Sequence, residues 1–442
     1  MTLSRITRRS ALKRAAAAGL AVPFVFRLHA SAAPSETIYH ASFGASGMAG
    51  ADIGSLTGSK HLKLVAVADV DLNRTKDIKK RFPDVKIYQD WRELLDKEKN
   101  LNSVNVSTPD HMHAPITMRA MQQGLHVYTQ KPLTQTLYEA RQLARVAKEK
   151  KVISQMGIQI HSAAEHRTVV ATIQSGAIGK VKAVHSWSGK GWGDPNPRPD
   201  RDDPVPVGFS WDYWLGVAAE RPFLGDHYYH PGNWRKRLDF GTGTFGDMAC
   251  HILDPVYGSL ALTAPKSVGS QIAEAPNAHN WSLNVHVKYT FPGTKYTTDT
   301  LTLHWYNGKE RPSAEVQAIL EGQKLADQGS IYIGTEGVMY SKYVAMPILL
   351  PAAKFKDHKL PKQNGNNHYL QFVEACRGND KTSAPFAYSG PLTETVLLGC
   401  LATRFPMKTL EWDAAKMTVT NEDAANKLVR RRYRKGWEVE GL

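Results

Sequence analysis

Between Ile38 and Met156 the chain alternates short apolar runs with amphipathic stretches, and this alternation constrains the fold more than any other feature. Leu62–Ala68 reads LKLVAVA. It is apolar almost throughout, as expected of a strand covered on both faces of a parallel sheet. Strands are expected at Ile38–Phe43, Leu62–Ala68, Lys86–Tyr88, Ser103–Ser107, His126–Tyr128 and Val152–Met156. Helices are expected from the first glycine turn to about Leu56, then at Leu72–Arg81, Trp91–Glu98, Ala114–Gln123 and Leu137–Glu149. The pattern predicts a doubly wound α/β sheet, which binds ligands at the carboxyl ends of its strands.

The turn after the first strand carries Gly44, Ser46, Gly47, Met48 and Gly50. It departs from the Gly-x-Gly-x-x-Gly spacing of dinucleotide folds, with Ser46 in the second glycine place and Ala49 in the third. A serine there offers a hydroxyl to a phosphate in place of a close backbone approach. Asp69 closes the next strand, where a carboxylate accepts both ribose hydroxyls of NAD and repels a 2′-phosphate; the next residues, Val70 and Asp71, are not basic. Thr108, Pro109, His111 and His113 follow the fourth strand, and Gln130, Lys131 and Pro132 the fifth. Both groups therefore fall at expected ligand-binding ends. His111 and His113 read as loop or cap residues, and no metal-ligand set is read from the sequence.

Beyond Met156 the pattern changes. Residues 191–206 form a Pro/Asp/Gly loop expected at the surface. Trp187, Trp192, Trp211, Trp214 and Trp234 crowd one region. Trp211 and Trp214 are expected in the core. Tyr229, Trp234 and Arg235 are expected to bind substrate, since aromatic faces with interleaved donors suit sugar rings. Gly241–Pro255 then places Asp247, His251 and Asp254 at helical spacing on one face, with Pro255 limiting the helix. A carboxylate beside a histidine is an acid/base unit. Alternating strands are expected at Val285–Phe291 and Thr297–His304, and helices near Ala164–Ser175, at Tyr369–Cys376 and at Leu392–Phe405.

Net charge is +15, but no nucleic-acid-binding motif accompanies it. Cys250, Cys376 and Cys400 are far apart and are expected as free thiols. Arg8-Arg9, the apolar run Ala15–Phe26 and Ala30-Ser31-Ala32 resemble a twin-arginine export signal, assigned to residues 1–35. That implies a periplasmic protein with no membrane anchor after processing.

The glycine turn, Ala68-Asp69-Val70-Asp71, Thr108–His113, Lys131-Pro132, Ser175-Gly-Ala-Ile-Gly179 and the Asp247/His251 helix follow one another as in a known family. The chain resembles the glucose–fructose oxidoreductase/inositol dehydrogenase (Gfo/Idh/MocA) family over residues 36–437. The resemblance implies a Rossmann domain at 36–156 and an α+β domain with an open, mostly antiparallel sheet at 157–442. It implies a carbohydrate or polyol substrate, NAD as cofactor and a homo-oligomer. It carries over Lys131, Asp247 and His251 as catalytic residues, with Asp247 and His251 also touching substrate. Gly44, Ser46, Gly47, Met48, Asp69, Thr108, Pro109, His111, His113, Gln130 and Lys131 fall where such a chain holds its cofactor. Gln130 replaces the family's glutamate, and Lys131 is expected to lose some stabilisation of its charge if the two side chains touch. The expected activity is oxidation or reduction of a hydroxyl-bearing carbon with a tightly held, recycled cofactor. Glycoside cleavage through a transient keto-sugar and non-catalytic binding of nucleotide or sugar are the alternatives.

Overall fold

The apolar runs form the expected strands in the computed structural model, which describes residues 36–442. The export-signal reading, on residues 1–35, lies outside the described residues. Strands β1 (Ile38–Phe43), β2 (Leu62–Ala68), β3 (Lys86–Tyr88), β4 (Ser103–Val106), β5 (His126–Gln130) and β6 (Ser154–Gly157) make one sheet in the order β3-β2-β1-β4-β5-β6. Every pair in it is parallel. β4 and β6 are buried at every position. The strand order reverses between β1 and β4, which opens a crevice at their carboxyl ends.

The helices of this half are α1 (Met48–Leu56), α2 (Lys76–Arg81), α3 (Trp91–Lys97), α4 (His113–Gln122) and α5 (Leu137–Lys150). The stretch expected as one helix from Leu72 opens instead as a 3₁₀ turn, Leu72–Thr75, capped by Asp71. α5 starts at a capping box: the Thr136 hydroxyl accepts from the Glu139 backbone N–H, and the Glu139 carboxylate accepts from that of Thr136.

The second sheet has nine strands. These are β7 (Val181–Ser188), β8 (Ser267–Ser270), β9 (Val285–Pro292), β10 (Thr297–Asn307), β11 (Gln328–Gly334), β12 (Val338–Lys342), β13 (Ile348–Leu350), β14 (Thr409–Asp413) and β15 (Thr418–Val419). Their order is β13-β12-β11-β7-β10-β9-β8-β14-β15, antiparallel except for β7 with β10. Helix α6 (Ala164–Gln174) precedes this sheet, and α7 (Trp211–Leu215) and α8 (Gly243–Ile252) lie between its first strands. Phe245 of α8 stacks flat on Trp305 of β10 at 5.1 Å between ring centroids.

Pro255 does not end a helix. α8 stops at Ile252, and Pro255 opens the next helix, α9 (Asp254–Ser259), where a missing N–H costs nothing. The last long helices, α10 (His368–Cys376) and α11 (Phe386–Ala402), pack back onto the first half. Tyr128 of β5 packs against His368, Tyr369 and Phe372. α11 starts at Phe386, six residues before the boundary expected at Leu392, and runs through Pro391, because nearly its whole surface is buried and packing outweighs one lost hydrogen bond. All three cysteines are free; Cys250 and Cys400 are buried. Among the described residues no helix is long and apolar enough to cross a membrane.

Candidate active site

The carboxyl ends of β1, β2, β4 and β5 open into a cavity of about 290 Å³. Gly44 follows β1 with φ +102°, and a Cβ there would meet the Ser107 carbonyl oxygen at 2.9 Å. Only glycine lets the two strand ends approach so closely. Gly47, at φ +59°, then turns the chain into α1. The Ser46 hydroxyl is buried with no hydrogen-bond partner, and Ser46, Gly47 and Met48 all line the cavity. An orphaned hydroxyl beside a helix N-terminus is a ready phosphate site.

Asp69 lines the same cavity. Its Oδ2 accepts the Ala45 N–H and its Oδ1 the Asp71 N–H, each at 2.9 Å. Each oxygen keeps a second lone pair for a ligand. Burial pushes the carboxyl up to about 6, against the pull of these bonds and of Arg74. These residues fit a dinucleotide, with Ser46 and Gly47 toward its phosphates and Asp69 toward a ribose. Arg74, also on the cavity wall, was missed by the sequence reading, which examined only the two residues after Asp69.

Thr108, Pro109 and His113 line the cavity as expected. The His113 Nδ1 contacts the Pro132 carbonyl at 2.7 Å and its Nε2 the Thr108 carbonyl at 2.8 Å, so the ring ties the ends of β4 and β5 together. His111 does not reach the cavity. It is fully buried, its Nε2 bonded to the Trp214 carbonyl at 3.0 Å and its ring against Trp214 and Phe240. Its place is in the core because the turn after Pro109 is 3₁₀ and sends the two histidines in different directions.

Gln130 lines the cavity with Lys131, as expected. Its amide nitrogen donates to both oxygens of Asp52, each at 2.9 Å, and its amide oxygen accepts the Lys131 backbone N–H at 3.3 Å. Its side chain thus bonds Asp52 and the Lys131 backbone rather than the Lys131 ammonium, so the condition set for a loss of lysine stabilisation is not met. Asp52 also accepts from the hydroxyls of Ser107 and Tyr369. Burial raises its carboxyl to about 6, over the opposing effect of these donors.

Lys131 and Asp247 meet as expected. The Lys131 Nζ lies 2.5 Å from Asp247 Oδ1 and 3.0 Å from the Asp247 backbone oxygen. The Arg235 Nε lies 3.4 Å from the same Oδ1. Burial alone would raise the Asp247 carboxyl, but Lys131 and Arg235 outweigh it and hold the group well below the usual range. Arg235 stacks over Trp234 at 4.4 Å and faces Trp192 at 5.9 Å, and all three line the cavity with Lys131. Trp192 comes from the loop expected to be mere surface. Asp110, another residue not singled out, is buried there, accepts from the Thr242 hydroxyl at 2.8 Å and has Arg235 at 3.9 Å.

His251 is one turn beyond Asp247 on α8 and lines a different, smaller cavity with His166, Lys342 and Tyr343. Its Nδ1 is buried without a hydrogen-bond partner. Burial first, then Lys131, lowers its pKa to about 3, so the ring is neutral. Asp254 does not join them; the break at Leu253 turns it toward His161, His166 and Tyr388. Tyr229, expected to bind substrate, is 1% exposed in an aromatic core with Trp211, Trp214 and Phe240. Its hydroxyl accepts from Arg198 at 3.1 Å, and this partner lets the ring be buried.

Residues 41–158 match the oxidoreductase family, NAD-binding Rossmann fold, and residues 172–439 match the oxidoreductase family, C-terminal alpha/beta domain. The chain is 24% identical over 193 residues to levoglucosan dehydrogenase of Pseudarthrobacter phenanthrenivorans, covering 43% of this chain and 40% of the relative. It is 24% identical over 213 residues to scyllo-inositol 2-dehydrogenase (NADP(+)) IolW of Bacillus subtilis, covering 48% of this chain and 49% of the relative. The chain thus spans about half the length, or less, of these curated relatives. Among solved structures it resembles the WlbA dehydrogenase from Bordetella pertussis in complex with NADH and UDP-GlcNAcA. The TM-score is 0.59 at 13% identity, covering 85% of this chain and 98% of that one, a likeness of fold.

Proposed function

The chain belongs to the Gfo/Idh/MocA oxidoreductase family, with an NAD-binding Rossmann domain, and from that premise we propose that it oxidises or reduces a sugar, glycoside or polyol at a hydroxyl-bearing carbon. The observation that carries this reading is the Lys131–Asp247 ion pair at the carboxyl end of β5, whose Lys131 lines one cavity with Ser46 and Asp69. NAD, when bound, supplies the hydride-transfer chemistry. Lys131 donates a hydrogen bond to the reacting oxygen and favours its alkoxide form. Asp247, kept ionised by Lys131 and Arg235, holds the ammonium in place, and Arg235 holds Asp247. Trp192 and Trp234 line the cavity, and aromatic walls suit the C–H side of a sugar ring. The names of the relatives, a levoglucosan and a scyllo-inositol dehydrogenase, support the substrate class.

Proton removal is assigned to His251 by its place one turn beyond Asp247, a role that requires bound substrate to raise the ring's pKa from about 3. Its separate cavity makes this the assignment that mutation tests most sharply.

The Arg8-Arg9 signal supports export of the folded protein to the periplasm. No replenished nicotinamide pool is expected there, so the cofactor is loaded first, held tightly and returned to its starting state within each cycle. The same demand favours a second reading, glycoside cleavage through a transient keto-sugar. Turnover of a sugar and glycoside panel tests both. A dehydrogenase couples oxidation of one sugar to reduction of another carbonyl compound; a cleaving enzyme frees the aglycone with no net NADH. No turnover of any member rejects the proposal.

A further inference from the structure

Three side chains with metal-binding donors meet at the junction between α8, which carries Asp247, and α9. His161 comes from the 3₁₀ turn Gln159–Ser162 after β6, His166 from the first turn of α6, and Asp254 from the start of α9. One donor atom from each lies within 4.8 Å of the other two. The His161 Nδ1 is 2.9 Å from Asp254 Oδ2, and the His166 Nδ1 is 3.4 Å from the same oxygen. Asp254 is fully buried, and His166 is 6% exposed. The His166 Nδ1 has no hydrogen-bond partner. A buried, unpartnered imidazole nitrogen aimed at a carboxylate that another imidazole already shares is a costly arrangement when left as it stands.

From this cluster the geometry points to a binding site for one divalent transition-metal ion of the zinc class, held by His161, His166 and Asp254. Two imidazole nitrogens and one carboxylate oxygen form a set that zinc and its neighbours take and that calcium and magnesium, which prefer oxygen throughout, do not. Tetrahedral bonds of about 2.0–2.1 Å place donor atoms about 3.3 Å apart. The two separations to Asp254 Oδ2, 2.9 and 3.4 Å, already bracket that value. The ion displaces the proton that His161 and Asp254 now share and gives the His166 nitrogen its missing partner. Tyr388 donates to Asp254 Oδ1 at 2.5 Å, the kind of outer hydrogen bond that fixes a ligating carboxylate.

Three protein ligands leave one position open. His166 lines the small cavity of about 30 Å³ that His251 also lines, so a water bound there stands on the His251 side. The sequence hid this set. His161 and His166 are five apart across a turn, and their third partner is nearly ninety residues away in the chain.

The test needs neither substrate nor cofactor turnover, so its outcome is independent of the proposed reaction. The protein is purified with a tag that lacks histidine and analysed by elemental mass spectrometry. It is then stripped with chelator and titrated with Co²⁺ alone, which gives visible d–d bands in a site of this kind. The expected result is near-stoichiometric zinc in the purified protein, or Co²⁺ bands saturating at one ion per chain. His166→Gln should weaken Co²⁺ binding by more than about tenfold with NAD binding retained. His304→Gln should change nothing, although His304 belongs to a second imidazole cluster with His185 and His286. Wild-type protein that holds no metal and shows no bands at millimolar Co²⁺ overturns the proposal, and so does binding that survives His166→Gln or depends on His304. If His166→Gln does not fold, metal content of the wild-type and His304→Gln proteins decides the question: metal in neither, or metal lost with His304, overturns the proposal.

Discussion

Gln130→Glu places a second carboxyl within hydrogen-bonding distance of Asp52. In the native chain the Gln130 amide donates to both Asp52 oxygens at 2.9 Å in a buried site. Two carboxylates so close cannot both ionise there, so one must hold a proton to keep the hydrogen bond. In the unfolded chain a glutamate titrates near about 4.3, so holding that proton near pH 7 costs about 3–4 kcal/mol at about 1.4 kcal/mol per pH unit. Above about pH 6, where native Asp52 is ionised, the folded variant binds one proton more than the native fold, so the penalty relative to native shrinks to about 2 kcal/mol near pH 6 and changes little below it. Urea unfolding of both proteins at the two pH values measures this. The double variant Asp52→Asn/Gln130→Glu should recover most of the loss, because an amide again faces a carboxylate. The reasoning is refuted if the variant is as stable as the native protein near pH 7, or if its loss is the same at both pH values.

Asp69→Ala should weaken NAD binding by about 1–3 kcal/mol, the loss expected when hydrogen bonds to a charged acceptor vanish, with NAD still bound more tightly than NADP by the native protein; titration calorimetry measures both. The Asp69 carboxyl stands near about 6, so native NAD affinity should fall as pH drops below that value, and the fall should be lost in Asp69→Asn. His251→Ala should lower kcat by about 10²–10⁴, and a loss under about tenfold removes His251 from the proton step. Changing Arg8 and Arg9 to Lys should leave precursor in the cytoplasm; processing and export of the double variant would contradict the twin-arginine reading.

The first half was legible because a buried parallel sheet leaves long apolar runs, and Leu62–Ala68 formed a strand with the boundaries read from it. The site was legible where it depends on strand ends: Lys131, Asp69 and Thr108 all line one cavity. It was not legible where tertiary packing chooses between equivalent residues. His111 and His113 look alike in the sequence, yet one enters the core and the other the cavity wall. Tyr229 and Trp234 are five apart in one aromatic stretch, and only Trp234 reaches the cavity. Helical spacing placed Asp247, His251 and Asp254 on one face, but a break at Leu253 separated the third from the first two. Arg74, Asp110 and Trp192 carry no spacing signal. Arg74 and Asp110 sit on 3₁₀ turns and Trp192 on a loop, and where these bring them depends on the whole fold.

The most direct test of the central claim is an anaerobic stopped-flow experiment. Protein loaded with NAD is mixed with a panel of sugars, glycosides and polyols, and the absorbance of the reduced nicotinamide is followed. The account predicts reduction of bound cofactor by at least one member, slowed by about 10² or more in Lys131→Ala with NAD still bound. Absence of any reduction, or equal rates in the native and Lys131→Ala proteins, would contradict it.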